Sequence, residues 1–197
     1  MEYSQILLSA ALGLGLSACC GLRVFVPLLA AGLAARYQWL PVADSFLWLG
    51  SWAAISCFAI AAVVEILAFK IPYLDHLLDT IAAPASVIAG TIISASAFVE
   101  LDPASKWTLA LIIGGGSAGL MQTSTMLLRG ASTATTGGVA NPVVATVESS
   151  AAIGGSILAL LLPLVTALLA VLFCLWILMK FRNHRTKKKL KSKNPHT

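Results

Sequence analysis

The chain has 197 residues, of which 58% are hydrophobic and 11% are charged, and its mean hydropathy is +0.89. Soluble domains carry about a quarter of charged residues, so this composition excludes an ordinary soluble domain and indicates a surface that faces lipid. The net charge of +5 arises from eight basic residues between Lys180 and Lys193. Such a tail is not the folded basic face that nucleic-acid binding needs, so we expect no nucleic-acid partner.

The first apolar region, residues 3–35, is too long for one ordinary span and is interrupted at Gly21-Leu22-Arg23, with Pro27 close behind. The interruption predicts a helix broken near Gly21, and leaves open whether the region crosses once or forms two half-helices. Glu2 stands where a cleavable signal would have basic residues. We therefore expect a retained first helix.

Five further apolar segments predict five more spans, at about residues 46–69, 78–99, 107–128, 142–162 and 163–181. A single helix over 142–181 would be about 60 Å long, twice the hydrocarbon thickness, so Pro163 is expected to separate two spans. Residues 129–141 are rich in Gly, Ser and Thr and are predicted to form a loop or an unwound segment. The predicted fold class is an all-α polytopic membrane helix bundle with about six spans and a broken first helix.

A weak similarity between residues 17–32 and 117–130 would pair the first span with the fourth. Three spans per unit would make a 3+3 inverted repeat, which is a common plan of transporters. Small residues and leucine are so frequent in this chain that chance is the alternative explanation.

The division into domains follows from the basic residues at the end of the chain. Residues 1–182 are predicted to form the transmembrane domain, and 183–197 a basic, disordered cytoplasmic tail. Because basic residues next to a span stay in the cytoplasm, six spans place both termini there.

Ionisable residues inside the spans are the most informative feature, because each is costly in the bilayer unless it is paired or hydrated. Arg23 could bind an anion at the helix break, or form a buried salt bridge with Glu65 or Glu148. Glu65 could be functional, or could reach the inner interface beside Lys70. Glu148, followed by two serines, could line a wet cavity.

Two further acids, Asp75 and Asp79, are spaced i, i+4 and would share one face of a helix. They could form a cation or proton site, or be a hydrated helix start in which Asp is favourable. Arg129 lies at a predicted span end, where exposure to water is a sufficient explanation.

No catalytic constellation is recognisable. The chain contains no Walker motif, no Gly-x-Ser-x-Gly elbow and no His-Glu-x-x-His pair. Its cysteines lie in apolar segments without metal-ligand spacing, so buried hydrophobic roles are expected. We expect no catalytic residue, no metal site and no cofactor.

Three segments resemble the signatures of the bacterial membrane family called domain of unknown function 4126. The first is GLRVFVPLLAAGLAAR at 21–36; the second comprises Glu65, KIPYLD at 70–75 and Asp79; the third comprises Arg129, the Ser/Thr-rich segment, Asn141-Pro142 and Glu148. Where the family pattern has an Asp before the Lys of the second signature, this chain has Phe69. The resemblance implies a multi-span inner-membrane protein and implies no activity.

These observations favour a small transporter or channel-like permease for an unidentified ion or small solute, coupled to protons or cations through intramembrane carboxylates. The alternative is a non-transporting membrane scaffold or assembly protein whose charges are structural ion pairs. A membrane enzyme acting on lipid is a third hypothesis, for which neither nucleophile nor metal site is found. The expected partners are the lipid bilayer, the transported ion or solute and a second copy in a homodimer. The candidate binding or ion-pair residues are Arg23, Glu65, Asp75, Asp79, Arg129, Asn141 and Glu148.

Overall fold

A computed structural model describes residues 3–71, 75–99 and 101–193, and within these ranges it is helical with no strand. The α-helices are α1 (Tyr3–Cys20), α2 (Phe25–Arg36), α3 (Trp52–Ala68), α4 (Asp75–Ala97), α5 (Pro103–Leu109), α6 (Gly116–Thr136), α7 (Asn141–Leu161) and α8 (Pro163–Lys193). A 3-10 helix, Asp44–Gly50, precedes α3, and a π-helical turn, Ala110–Gly115, joins α5 to α6.

Three of the described helices are long and apolar enough to cross a membrane: Leu77–Ala97, Pro103–Thr136 and Asn141–Leu161. The 3-10 helix and α3 meet at 59° and count as a fourth candidate if they form one bent span. Leu7–Cys20, Phe25–Arg36 and Pro163–Met179 are shorter apolar helices. The helical, apolar character of the chain is confirmed, while six spans and an inverted repeat stay predictions.

The predicted break in the first apolar region is confirmed, because α1 ends at Cys20 and α2 begins at Phe25. Pro27 has no amide hydrogen and is tolerated only in the first turn of a helix, so the helix has to restart just before it. Gly21 lies so close to α6 that a Cβ there would be 2.8 Å from the amide nitrogen of Gln122. The break thus lies directly against α6.

The prediction of a loop over 129–141 is wrong, because α6 continues to Thr136. Threonine hydroxyls in this segment bond carbonyls one turn earlier, from Thr135 to Ala131 and from Thr136 to Ser132, and so fit within a helix. Gly137 ends the helix in the left-handed conformation, at φ 63°, and donates its amide to the carbonyl of Thr133. The connection to α7 is therefore only four residues long, 137–140.

The last helix is longer than the predicted sixth span. Its backbone is helical to Lys193, well into the basic segment that the sequence predicts to be disordered. The division of the chain into a membrane domain and a tail stays a prediction.

The core is built where α1 crosses α4 and the π-helical turn. Ser17 of α1 donates its hydroxyl to the carbonyl of Gly90 in α4 at 2.7 Å. Small residues at the crossing allow this close approach, since a Cβ on Gly90 would lie 2.7 Å from the carbonyl oxygen of Gly114. This tight crossing holds α1, and with it the helix break, in a fixed position.

Candidate functional site: a buried charge network

Arg23 occupies the helix break and is fully buried. Its guanidinium donates Nε to the hydroxyl of Ser149 at 3.0 Å and Nη2 to the carbonyl of Ala145 at 2.9 Å. Nη1 donates to the carbonyl of Leu22 at 2.9 Å and to Oε2 of Glu148 at 3.2 Å. Three of these four acceptors belong to α7, so Arg23 fixes the break against that helix.

Glu148 lies two turns inside α7 and is 4% exposed. Its Oε2 accepts hydrogen bonds from two guanidinium groups, from Nη1 of Arg23 and from Nη2 of Arg129. Its Oε1 is buried and has no hydrogen-bond partner in the described part of the chain. A single carboxylate oxygen therefore links two arginines, while the other oxygen has unused capacity.

Arg129 extends the network to α4. Its Nη1 donates to Oδ1 of Asp79 at 2.5 Å, and Gln122 also donates to that oxygen, at 3.4 Å. Arg129 is 1% exposed and Asp79 is 3% exposed. The Nε of Arg129 has no hydrogen-bond partner among the described residues.

Phe69 packs against both arginines. The guanidinium carbons of Arg23 and Arg129 lie 4.4 Å and 4.2 Å from the centroid of its ring. Phe69 is 3% exposed, and cation–π contacts are strongest where water is excluded. Its ring therefore stabilises two like charges that otherwise repel one another.

Glu65 has a different role from the other acids. Its two carboxylate oxygens accept the backbone amides of Val24 and Phe25, at 2.7 Å and 3.1 Å. These amides begin α2, and the side chain of Val24 provides no cap of its own. Glu65 thus replaces the missing N-cap from a neighbouring helix, where the dipole of α2 also favours a negative charge.

The structure corrects three expectations about exposure. Asp79 and Arg129 are not hydrated residues at span ends but are buried partners of one another. Glu65 does not reach the interface beside Lys70; it is 9% exposed and turns inward to the break. Of the two salt bridges considered for Arg23, the one with Glu148 is present.

Asn141 and Asp75 are the two remaining predicted residues. Asn141 is buried at the start of α7 and donates Nδ2 to the hydroxyl of Thr133 at 2.9 Å, which ties the ends of α6 and α7 together. Asp75 begins α4, but its side chain lies outside the described residues. The cation or proton site predicted for Asp75 with Asp79 therefore stays a prediction.

The network contains residues that the sequence analysis did not select, namely Phe69 and Gln122. Neither is ionisable, so neither is unusual within an apolar segment.

In the described ranges, no three His, Cys, Asp or Glu side chains are grouped so that they could hold a metal ion. A surface cleft of about 460 Å³ lies at the other end of α2, lined by Arg36, Gln38, Pro41 and Gly50 among others.

These features define the class of the protein: a helical, strongly apolar chain of the membrane-spanning type, with a buried charge network beside a broken helix. The chain belongs to the family described as Domain of unknown function (DUF4126), whose model matches residues 10–183. The resemblance found in the sequence is thereby confirmed. No curated protein and no solved structure matches the chain.

Proposed function

We propose that this protein is a small permease of the bacterial inner membrane that moves an ion or a small solute with proton or cation coupling. The observation that carries the proposal is the convergence of Arg23, Arg129, Asp79 and Glu148 in one buried network. Transfer of each ion from water costs several kcal/mol, and well-packed apolar residues often stabilise a fold as well or better. Ionisable groups retained inside membrane helices are typical of ion and substrate pathways.

The position of the network supports the same proposal. Glu148 lies seven residues after the start of α7 and Arg129 seven residues before the end of α6, about 10 Å of helix rise in each case. Glu65 and Asp79 lie still closer to the end of α3 and the start of α4. All four helix ends belong to one side of the bundle, and on the predicted topology that side is cytoplasmic.

The proposed topology has six crossings with both termini in the cytoplasm. The three long helices and the bent pair supply four, and α1 with α2 and the apolar part of α8 supply the other two. The 3+3 inverted repeat belongs to the same proposal.

Flux into proteoliposomes loaded with a pH-sensitive dye tests the proposal. A panel of salts of small ions and organic acids is added outside, and proton movement is recorded for the wild type, Glu148→Gln and Arg23→Ala. The matched control is Ser150→Ala, since Ser150 is exposed on the same helix and donates to the carbonyl of Thr146 in its own helix. We expect flux in the wild type and the control and its loss in both network variants; unchanged flux in both would remove these residues from the mechanism.

A scaffold or assembly protein is the second candidate, and the direct pairing of Arg23 with Glu148 favours it. If the network is purely structural, replacing all four of its charges by apolar residues of similar size, in Arg23→Met/Asp79→Leu/Arg129→Met/Glu148→Leu, should preserve folding and the co-purification of a defined partner. A permease with the same replacements should fold and lose its flux. Size-exclusion chromatography and flux measured on one preparation separate the two candidates.

We also propose a homodimer. Gly130 and Gly154 are exposed, and within the described chain an added Cβ at each would meet no atom within 4 Å. Such open small residues permit close approach of a second helix in lipid. A monomeric mass in both mild detergent and native membranes would contradict the dimer.

A further inference from the structure

We infer that Arg23 and Arg129 form a binding site for a small oxyanion of single negative charge, such as a carboxylate, and that Glu148 occupies this site as an internal substitute. The inference rests on the proposed permease function and adds to it the chemical class of the substrate. It also makes Glu148 the group that takes up a proton when the anion binds.

The arrangement of donors is that of an anion site. Two guanidinium groups, from the helix break and from α6, donate to the same carboxylate oxygen of Glu148. The guanidinium carbons of both arginines lie over the ring of Phe69, so the two groups are held beside one another. Arginine in a fixed plane is the side chain best suited to bind carboxylate or phosphate oxygens.

The site also has unused hydrogen-bonding capacity. Oε1 of Glu148 and Nε of Arg129 have no hydrogen-bond partner in the described ranges. Both atoms are buried, and the two side chains are only 5% and 2% exposed, so bulk water does not satisfy them. Buried polar atoms are nearly always bonded, so such exceptions indicate a place where something else binds. A proton can add to Oε1 without breaking any hydrogen bond, and Nε of Arg129 can donate to a second oxygen of the ligand.

The net charge of the site predicts how many protons bind with each anion. Arg23 and Arg129 carry two positive charges, and Glu148 and Asp79 carry two negative charges, so the four sum to zero. When one proton from water adds to Oε1, an O–H bond forms and Glu148 becomes neutral. One monovalent anion then takes the place of Oε2 on the two guanidiniums, and the sum is again zero. The site therefore favours one proton bound with one anion, and electroneutral movement.

Among the residues whose side chains the structure describes, few other titratable groups face Glu148 and its arginines. Glu65 of α3 stays bonded to the amides that begin α2, and Asp79 stays bonded to Arg129. The remaining titratable side chains on the described parts of the helices packed against α7 are Cys19 and Cys20 of α1, Arg36 of α2, Cys57 of α3 and Cys174 of α8. None of these is a second carboxyl that could replace Glu148 as the proton acceptor.

The test measures anion binding to the purified full-length protein in nanodiscs. Glu148→Gln removes the internal substitute, so sodium formate at constant ionic strength should raise its Tm by roughly 5 °C or more at a hundredfold excess over Kd. The wild type should gain more Tm from formate at acidic pH than at alkaline pH, because the proposed exchange consumes one proton for each anion bound. Ser150→Ala should behave as the wild type, and Glu148→Gln/Arg23→Gln should lose the formate effect.

A Glu148→Gln variant that folds as a monodisperse species and whose Tm does not respond to formate or inorganic phosphate would overturn the inference. If this variant does not fold, proton uptake by the wild type replaces it: with an indicator dye in weakly buffered solution, one proton should be taken up per formate bound. Absence of uptake would equally overturn the inference. If formate binds but is not transported, the permease proposal is wrong and the anion site stands. If a cation is transported but formate does not bind, the anion site is wrong and the permease proposal stands.

Discussion

One oxygen of Glu148 binds the guanidinium groups of both Arg23 and Arg129. The stability of each arginine in the bundle therefore depends on the same carboxylate. Loss of Glu148 leaves Arg23 and Arg129 facing one another across Phe69, with Asp79 as the remaining ionic partner of Arg129. Removing one member of a buried pair costs about 3–5 kcal/mol, because the other charge stays desolvated. An anion that binds in place of Glu148 offsets the same cost, which is why charge neutralisation and anion binding are expected to occur together.

The cap that Glu65 provides can be tested on its own. In Glu65→Gln, the amide NH2 group faces one of the two backbone amides of Val24 and Phe25, so one buried N–H loses its acceptor. We expect the free energy of unfolding to fall by about 1–3 kcal/mol. Unfolding by SDS in mixed micelles, followed by tryptophan fluorescence, measures the change.

Asp44→Asn is the matched control, since Asp44 is exposed at the start of the 3-10 helix. Equal stability of Glu65→Gln and Asp44→Asn would show that the amides of the break do not depend on this carboxylate.

The sequence predicts those residues of the site whose charge is unusual in an apolar segment, and it does not predict the others. Arg23, Glu65 and Glu148 lie within apolar segments, where an ionised group is unusual. Asp79 and Arg129 lie near predicted span ends, where hydropathy alone cannot distinguish a hydrated charge from a paired one. Phe69 and Gln122 could not be found, because an aromatic or amide side chain in an apolar helix has many roles besides binding a charge.

At the scale of the helices, the break was predictable and the extent of α6 was not. Gly21 followed by Pro27 gives a local reason for a new helix start, independent of tertiary contacts. The Ser/Thr-rich end of α6 has low intrinsic helix preference, and its helical state depends on hydroxyl-to-carbonyl bonds and on packing that places Arg129 beside Asp79. Tertiary structure therefore decided where α6 ends, at Thr136, eight residues beyond the span end that the local pattern predicts.

The π-helical turn permits a testable comparison between two glycines of one continuous helix. A Cβ on Gly114 would overlap the carbonyl oxygen of Gly90 and lie 2.5 Å from Cβ of Ser94, whereas Gly116 has no neighbour within 4 Å among the described residues. We expect Gly114→Ala to lower stability by about 1–3 kcal/mol through overpacking. Gly116→Ala should be neutral or stabilising by up to about 1 kcal/mol, because alanine is the better helix former.

Thermal unfolding of both variants in the same detergent checks the comparison. A Tm of Gly114→Ala equal to that of Gly116→Ala would contradict the tight crossing of α4 with the π-helical turn.

At the scale of the whole molecule, the number of crossings depends on helices that are short on their own. The apolar parts of α1 and α2 are each shorter than a full span. Together they form one span only if the break between them lies within the membrane. Backbone groups at such a break must be bonded inside the protein, and Glu65 bonds two amides at the start of α2, those of Val24 and Phe25. On the proposed topology, Glu65 makes a broken first span compatible with lipid, which connects the site to the topology.

The proposed topology predicts which side of the membrane each connection faces. In a variant whose native cysteines are replaced by serine, Val139→Cys probes the connection between α6 and α7, where Val139 is 80% exposed. Asp44→Cys probes the segment before α3, which is also exposed. Because an odd number of crossings separates these positions, a membrane-impermeant maleimide should label Asp44→Cys in intact spheroplasts and Val139→Cys only after permeabilisation. Labelling of both positions in intact spheroplasts would rule out the six-span arrangement, and the reverse pattern would place the charge network on the outer side.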